Sequence, residues 1–401
     1  MTKANTNLMR ERIRPLNNEA HQIQSAGLYP YYRAIESEQD AEVIMSGKKV
    51  LMFGSNSYLG LTNHPKVKEA AINAVKKYGS GCAGSRFLNG TLDIHIELER
   101  RLAEFVGKDG ALVYSTGFQS NLGAIPTVTF RNDYIILDDL DHASIIEGAR
   151  LSFAKTLKFK HNDMESLEKI LKQCEPNRIK LIVVDGIFSM EGDIANLPEI
   201  VRLAEQYGAN IMVDDAHSLG VIGDNGRGAS SHFGLTDKVD IIMGTFSKSL
   251  ASIGGFLASD YETIDFIKHN SRSLIFSASI TPAATASALA ALDIILSEPE
   301  RIERLWTNTR FCLEGFRNMG FDTGNTCSPI IPLMIRDNTK TFLFTKMAFE
   351  DGLFVNPVVS PAVDNDSTLI RFSLMATHTQ PQLEMALEKM QKIARQLKII
   401  Q

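Results

Sequence analysis

The sequence predicts an α/β protein: a large domain built on a mostly parallel central sheet, followed by a smaller C-terminal α+β domain. Three observations carry that reading. From about Leu61 to Lys268, helical patterns alternate with short β-branched runs, as expected of strands joined by helical crossovers. Most of the runs are continuously apolar, which suits strands covered on both faces. After about Ser297 the character changes to long helical periodicity with two isolated strand runs. At 401 residues the chain exceeds the size at which a single core stops growing. The organisation therefore reads as an N-terminal arm over 1–60, a large domain over 61–296 and a small domain over 297–401.

In chain order, Leu8, Met9, Ile13, Leu16 and Ile23, set among Arg and Glu, predict an amphipathic helix between Asn5 and Ile23. Packing on a partner subunit is its plain role, and contact with a membrane surface the sharper alternative. Met1 to Arg14 carries Lys3, Arg10, Arg12 and Arg14 without an apolar h-region, so it does not read as a secretory signal. A helix follows Asn63, with Pro65 in its first turn and Val67, Ala70, Ala71, Ala74, Val75 and Tyr78 on one face until Gly79. The stretch from Gly79 to Gly84 is a loop. Strands are expected at Ala111 to Tyr114, Tyr134 to Leu137, Leu181 to Val184, Ile211 to Val213 and Ile241 to Met243. Each is followed by a polar segment, and ligands of open parallel sheets bind beyond the carboxyl ends of the strands. Ile280 to Leu296 is interrupted by Thr281, Pro282, Thr285, Ser287 and Asp293, too polar for a membrane span, and reads as a buried or half-buried helix. Irregular strands are expected around Ile330 to Ile335 and Leu369 to Leu374. Leu383, Ala386, Leu387, Met390, Ile393, Ala394 and Leu397 then mark a closing helix.

Composition excludes several classes. Apolar residues make up 44% and charged residues 22%, values of a folded globular chain. The 42 Lys and Arg against 47 Asp and Glu, a net charge of −5, leave no electrostatic footprint for nucleic acid. Cys82, Cys174, Cys312 and Cys327 are far apart without metal-ligand spacing, so they read as free, mostly buried thiols of a reducing, cytoplasmic compartment, with no metal site.

The chemistry-bearing residues cluster at strand ends. Asp214-Asp215-Ala216-His217 follows one strand, where paired acids could hold Mg²⁺, cap a helix or meet a cationic cofactor nitrogen. One βα unit later, Thr245-Phe246-Ser247-Lys248 places a lysine at a neighbouring strand end, and a lysine held in a cleft can lose its proton and form a Schiff base. An acid and a lysine so placed are what pyridoxal phosphate requires. Ser115-Thr116-Gly117-Phe118 opens a helix after a strand, a ready site for a phosphate, to which Thr245 and Ser247 could add hydroxyls. Neither a Walker-type loop nor a dinucleotide Gly-x-Gly-x-x-Gly is present. His142 lies in a polar turn, as a cap or as a ring to stack on a cofactor. Arg371 interrupts an apolar strand and needs a carboxylate, internal or brought by a substrate.

Six motifs together resemble the α-oxoamine synthase family of fold-type I pyridoxal phosphate enzymes over nearly the whole chain. They are Asn56-Ser57-Tyr58-Leu59-Gly60-Leu61, Asp141-His142-Ala143-Ser144, Phe188-Ser189-Met190-Glu191-Gly192-Asp193, Val213-Asp214-Asp215-Ala216-His217, Gly223-x-x-Gly226-Arg227-Gly228 and Thr245-Phe246-Ser247-Lys248. Within the family, Gly27-Leu28-Tyr29-Pro30-Tyr31-Tyr32, Asn89-Gly90-Thr91-Leu92-Asp93-Ile94-His95 and the run from Thr245 to Gly255 look like the bacterial serine palmitoyltransferase branch. Ser247-Lys248-Ser249 departs from the Gly-Lys-Ala and Gly-Lys-Gly of the acetyltransferase and oxononanoate synthase branches, which remain the alternative.

The resemblance implies a large domain that binds pyridoxal 5′-phosphate. It implies Lys248 as the Schiff-base lysine, Asp214 on the pyridine nitrogen, His142 stacked on the ring, and Ser189 and His217 at the phenolic oxygen. Gly117, Phe118, Thr245 and Ser247 would hold the phosphate, with Ser277 and Ala278 of a second subunit in a homodimer. Asn56, His142 and Arg371 would take the substrate carboxylate. The activity implied is condensation of L-serine with a long-chain acyl-CoA to 3-oxosphinganine, CoA and CO2, opening sphingolipid synthesis.

Overall fold

A computed structural model describes residues 7–360, 363 and 365–401; Lys3 and Asn5 of the N-terminal readings lie outside the described residues. The expected amphipathic helix is two helices, Leu8–Leu16 and Asn18–Ser25, and the first buries none of its residues. Strands β1 (Glu42–Met45) and β2 (Lys48–Met52) form an antiparallel hairpin.

Seven strands follow: β3 (Gly110–Tyr114), β4 (Tyr134–Asp138), β5 (Lys155–Phe159), β6 (Lys180–Asp185), β7 (Asn210–Asp214), β8 (Ile241–Thr245) and β9 (Gly255–Ser259). They form one sheet in the order β3-β9-β8-β7-β6-β4-β5. Only β9 runs against its neighbours, so the sheet is mostly parallel, as predicted. Along β6, Ile182 and Val184 join one apolar cluster while Leu181 and Val183 join another. Successive residues point to opposite faces and both faces are covered, which is why the run reads as unbroken apolar sequence.

Two strands of this sheet escaped the sequence reading. β5 is Lys-Thr-Leu-Lys-Phe at the sheet edge, and all of it but Phe159 keeps some exposure. β9 is five residues long and opens on Gly255, whose Cβ would lie 2.5 Å from the Cα of Gly117. The close approach of two backbones selects glycine there.

β10 (Ile330–Met334), β11 (Leu353–Phe354), β12 (Asn356–Val358) and β13 (Leu369–Ser373) complete the strands. Where irregular strands were expected, β10, β13 and β12 form a regular antiparallel sheet. β11 pairs with β2, so residues near the beginning and end of the chain share a ladder. The helix Pro65–Tyr78 is capped by His64 and ended by Gly79, and Pro282–Ser297 packs against it. All four cysteines are unpaired; Cys312 is buried, but Cys327 is exposed, departing from the expected burial. Among the described residues, no helix is long and apolar enough to cross a membrane.

Candidate active site

The carboxyl ends of β3, β4, β6, β7 and β8 converge on a cavity of about 320 Å³ lined by Gly117, Phe118, His142, Ser144, Asp185, Asp214, His217, Thr245, Ser247 and Lys248, among others. A second cavity of about 510 Å³ shares His142, His217 and Lys248 and adds Asn56, Ser189 and Arg371. The expected site residues thus meet in two adjoining spaces, except Ser277 and Ala278. Those two line neither; Gln119 Nε2 donates to Ser277 Oγ at 3.0 Å, and Ser115 Oγ donates to the Ala278 carbonyl.

Asp214 ends β7, almost fully buried. Its Oδ2 accepts from Asn121 Nδ2 at 2.8 Å and its Oδ1 from the Ala216 N–H at 3.0 Å. Asn121 also donates to Ser144 Oγ at 2.8 Å. Each carboxylate oxygen thus has a donor, and lone pairs are left to spare. Beside it, across the β6–β7 ladder, stands Asp185, a cavity-lining acid absent from the sequence candidates. Burial, with the Asp214 charge adding to it, raises the Asp185 carboxyl well above the usual range.

Lys248 follows β8. Burial lowers its amine to about 8, against the pull of Asp214 and Asp185, and Arg371 lowers it further. The amine therefore loses its proton far more readily than an exposed lysine, which a nucleophile or base requires.

His217 is buried, and burial followed by the charges of Lys248 and Arg371 pushes its pKa well down. The ring is neutral. Its Nδ1 lies 2.6 Å from Tyr58 Oη, to which Arg371 Nη2 donates at 3.5 Å. With that oxygen accepting from Arg371, the tyrosine proton turns to His217 Nδ1, leaving the hydrogen on Nε2. Tyr58 is a site residue that the sequence does not single out, since nothing local distinguishes it from a core tyrosine.

Arg371, on β13, is only 5% exposed. Its Nε donates to the Ser189 carbonyl at 2.6 Å and its Nη1 to Ser373 Oγ at 2.7 Å. Among the described residues no carboxylate forms an ion pair with it, so of the two partners expected, the internal acid is missing. The amide Oδ1 of Asn56, in the same cavity, is buried without a hydrogen-bond partner. The guanidinium without an acid points to a ligand that brings a carboxylate, and the bare amide oxygen of Asn56 to one that also brings an N–H or O–H donor.

His142 caps the helix Ala143–Leu151: the Ser144 N–H donates to its Nδ1 at 3.3 Å, while its own N–H donates to Asp185 Oδ2 at 2.8 Å. Burial lowers its pKa, with Asp214 opposing and Lys248 assisting. Nδ1 therefore accepts and Nε2 carries the hydrogen.

The helix Gly117–Val128 opens on the cavity with Thr116 as cap, presenting N–H groups with no intrahelical partners. A Cβ on Gly117 would come within 2.8 Å of Thr245 Oγ1, itself 3.0 Å from Ser247 Oγ. Bare N–H groups, two hydroxyls, a buried carboxylate across the cavity and a lysine of lowered pKa fit the phosphate, ring nitrogen and aldehyde of pyridoxal phosphate.

Comparison with known proteins gives the family. The model of the aminotransferase class I and II family matches residues 48–390. A serine palmitoyltransferase of Sphingobacterium spiritivorum is 61% identical over 95% of this chain and 96% of its own length. An 8-amino-7-oxononanoate synthase of Alkaliphilus metalliredigens is 43% identical over 98% of both. A solved serine palmitoyltransferase of S. paucimobilis, with a bound PLP–myriocin aldimine, superposes with a TM-score of 0.95 at 36% identity, over 98% of this chain and 99% of that one. The chain belongs to the aminotransferase class I and II family, within its α-oxoamine synthase group.

Proposed function

We propose that the protein is a pyridoxal-phosphate-dependent acyltransferase that condenses L-serine with palmitoyl-CoA, giving 3-oxosphinganine, CoA and CO2. The observation that carries this is the buried Arg371 with no acid partner among the described residues, lining one cavity together with Lys248, which also lines the adjoining cavity that holds Asp214. Identity of 61% to a serine palmitoyltransferase against 43% to an oxononanoate synthase supports serine and a long acyl chain over the alternative.

When bound, the cofactor supplies a cationic ring that draws electron density from the amino-acid Cα. Gly117, Phe118, Thr245 and Ser247 hold its phosphate, Asp214 keeps its ring nitrogen protonated, and His217 Nε2–H and Ser189 face its phenolic oxygen. Arg371 and Asn56 bind the serine carboxylate and orient the Cα–H bond. The Lys248 amine would take the Cα proton. The His142 Nε2–H stands ready to donate to the thioester oxygen as negative charge develops there. Cα bonds to the acyl carbon, the C–S bond breaks to release CoA, the bond from Cα to the carboxylate breaks to release CO2, and Lys248 returns the proton to Cα.

The reading extends to a homodimer in which Ser277 and Ala278 reach a second subunit's phosphate pocket. In support, they are held at the edge of the phosphate helix by Gln119 and Ser115, beside the three-quarters exposed Phe276. It extends also to a cytoplasmic location with peripheral contact at the inner face of the cell membrane, supported by the exposed Leu8, Met9, Ile13 and Leu16 of the first helix. Lys248→Ala is the test of the chemistry: the variant should lose the lysine-linked absorption of the holoenzyme and all turnover, and full activity would refute the assignment.

A further inference from the structure

Lining neither cavity, His161 stands between two carboxylates. Its Nδ1 is 2.9 Å from Asp138 Oδ1 and its Nε2 is 3.0 Å from Asp193 Oδ2. An ionised carboxylate only accepts, so both ring nitrogens donate and the imidazole is cationic. The side chain of Asp138 is 1% exposed and that of Asp193 17%, and Phe188 packs edge-on against the ring at 4.4 Å. Burial alone would lower the His161 pKa; Asp138 and Asp193 outweigh it and hold it up to about 10. Glu191 is the further acid that senses this charge.

Each carboxylate belongs to a different loop of the site. Asp138 ends β4 and accepts the N–H groups of Leu140 and Asn162, both at 2.9 Å; the same loop runs on to His142. Asp193 closes the other loop, its carbonyl accepting the Phe188 N–H at 3.0 Å. That loop carries Ser189, whose carbonyl holds Arg371 Nε. The neighbouring Asn162 adds Nδ2 donations to Asp193 Oδ2 at 3.0 Å and to the Ile194 carbonyl at 3.1 Å. The only cation contacting both acids among the described residues is the imidazolium, and without it two negative groups would face each other across the joint.

We propose that His161, as an imidazolium bridging Asp138 and Asp193, is a positioning residue that sets the His142 loop against the Ser189 loop and so fixes the His142 ring relative to the Arg371 guanidinium. The role rests on the proposed reaction, in which these two groups flank the serine carboxylate. His161 touches neither substrate nor cofactor; it acts on where the amino acid sits.

Titrating holoenzyme with L-serine and following the cofactor absorbance tests this. His161→Gln should assemble holoenzyme with unaltered absorbance, yet bind serine roughly tenfold more weakly, a loss about the size of one charge-assisted contact. His161→Arg, which restores a cation with donors on two sides, should recover most of the affinity; a residue needed only for packing would not be rescued by charge. If His161→Gln does not form holoenzyme, Asp193→Asn, which keeps the shape and removes one charge, carries the same expectation. Wild-type serine affinity in both variants would overturn the proposal, as would a Gln variant weakened but not rescued by Arg. A wild-type holoenzyme that does not respond to serine would overturn the proposed reaction itself, and this role with it.

Discussion

Arg371 is a guanidinium set in an apolar strand, bonded to a carbonyl and two hydroxyls but to no acid among the described residues. Its position was legible in the sequence because a charge among Leu369, Ile370, Phe372 and Leu374 is conspicuous; its want of an internal acid was not, since partners come from distant segments. Arg371→Ala should cost serine binding about 1.5–3 kcal/mol, a tenfold or greater rise in Kd by spectral titration, with cofactor affinity retained. Unchanged serine affinity would remove it from the site. Lys248 was equally visible, as a lysine one βα unit from an acid. Its lowered pKa, about 8, comes from burial that only the folded chain supplies. The rate at which apoenzyme captures pyridoxal phosphate should therefore rise with pH through about 8, as the amine loses its proton, and a rate flat from pH 7 to 9 would contradict that. Tyr58 stayed hidden because nothing local distinguishes it from a core tyrosine, and Asp185, though in a polar segment at a strand end, has no lysine or histidine beside it in sequence to single it out.

At the scale of elements, the sheet was readable wherever strands are buried on both faces. Tyr134 to Leu137 and Leu181 to Val184 are unbroken apolar runs because one residue faces each cluster in turn. The edge strand β5 carries two lysines and a threonine in five residues, and β9 begins where two backbones touch, so neither carries that signal. The helix Gly117–Val128 shows how an element becomes a site: its N-terminus can approach Thr245 only because residue 117 has no Cβ. Gly117→Ala should overpack this contact, weakening cofactor binding by about 1–3 kcal/mol while the helix remains. Equilibrium dialysis against pyridoxal phosphate measures it, and wild-type affinity would show that the approach is not required.

Across the whole molecule, the site depends on segments far apart in sequence. β2 pairs with β11 near the chain's end, β13 supplies Arg371, and His161 ties the β4 loop to the loop after β6. That tie has a signature in global stability. The folded pKa of His161, about 10, lies above the ordinary histidine value of about 6.5. Its contribution is fully present below about pH 6.5 and is lost as pH rises towards 10, because the native state holds a proton that the unfolded chain releases. The difference in urea midpoint between wild type and His161→Gln should accordingly shrink between pH 6 and pH 10; a difference independent of pH would contradict the charged bridge.

The central claim is that this site joins serine to a long acyl chain with loss of CO2. Incubating the holoenzyme with L-serine and palmitoyl-CoA, and separately with glycine and acetyl-CoA, and identifying the products by mass spectrometry tests it most directly. The account predicts 3-oxosphinganine from the first pair at a rate far above any product of the second. Product from glycine and acetyl-CoA alone, with none from serine and palmitoyl-CoA, would contradict it.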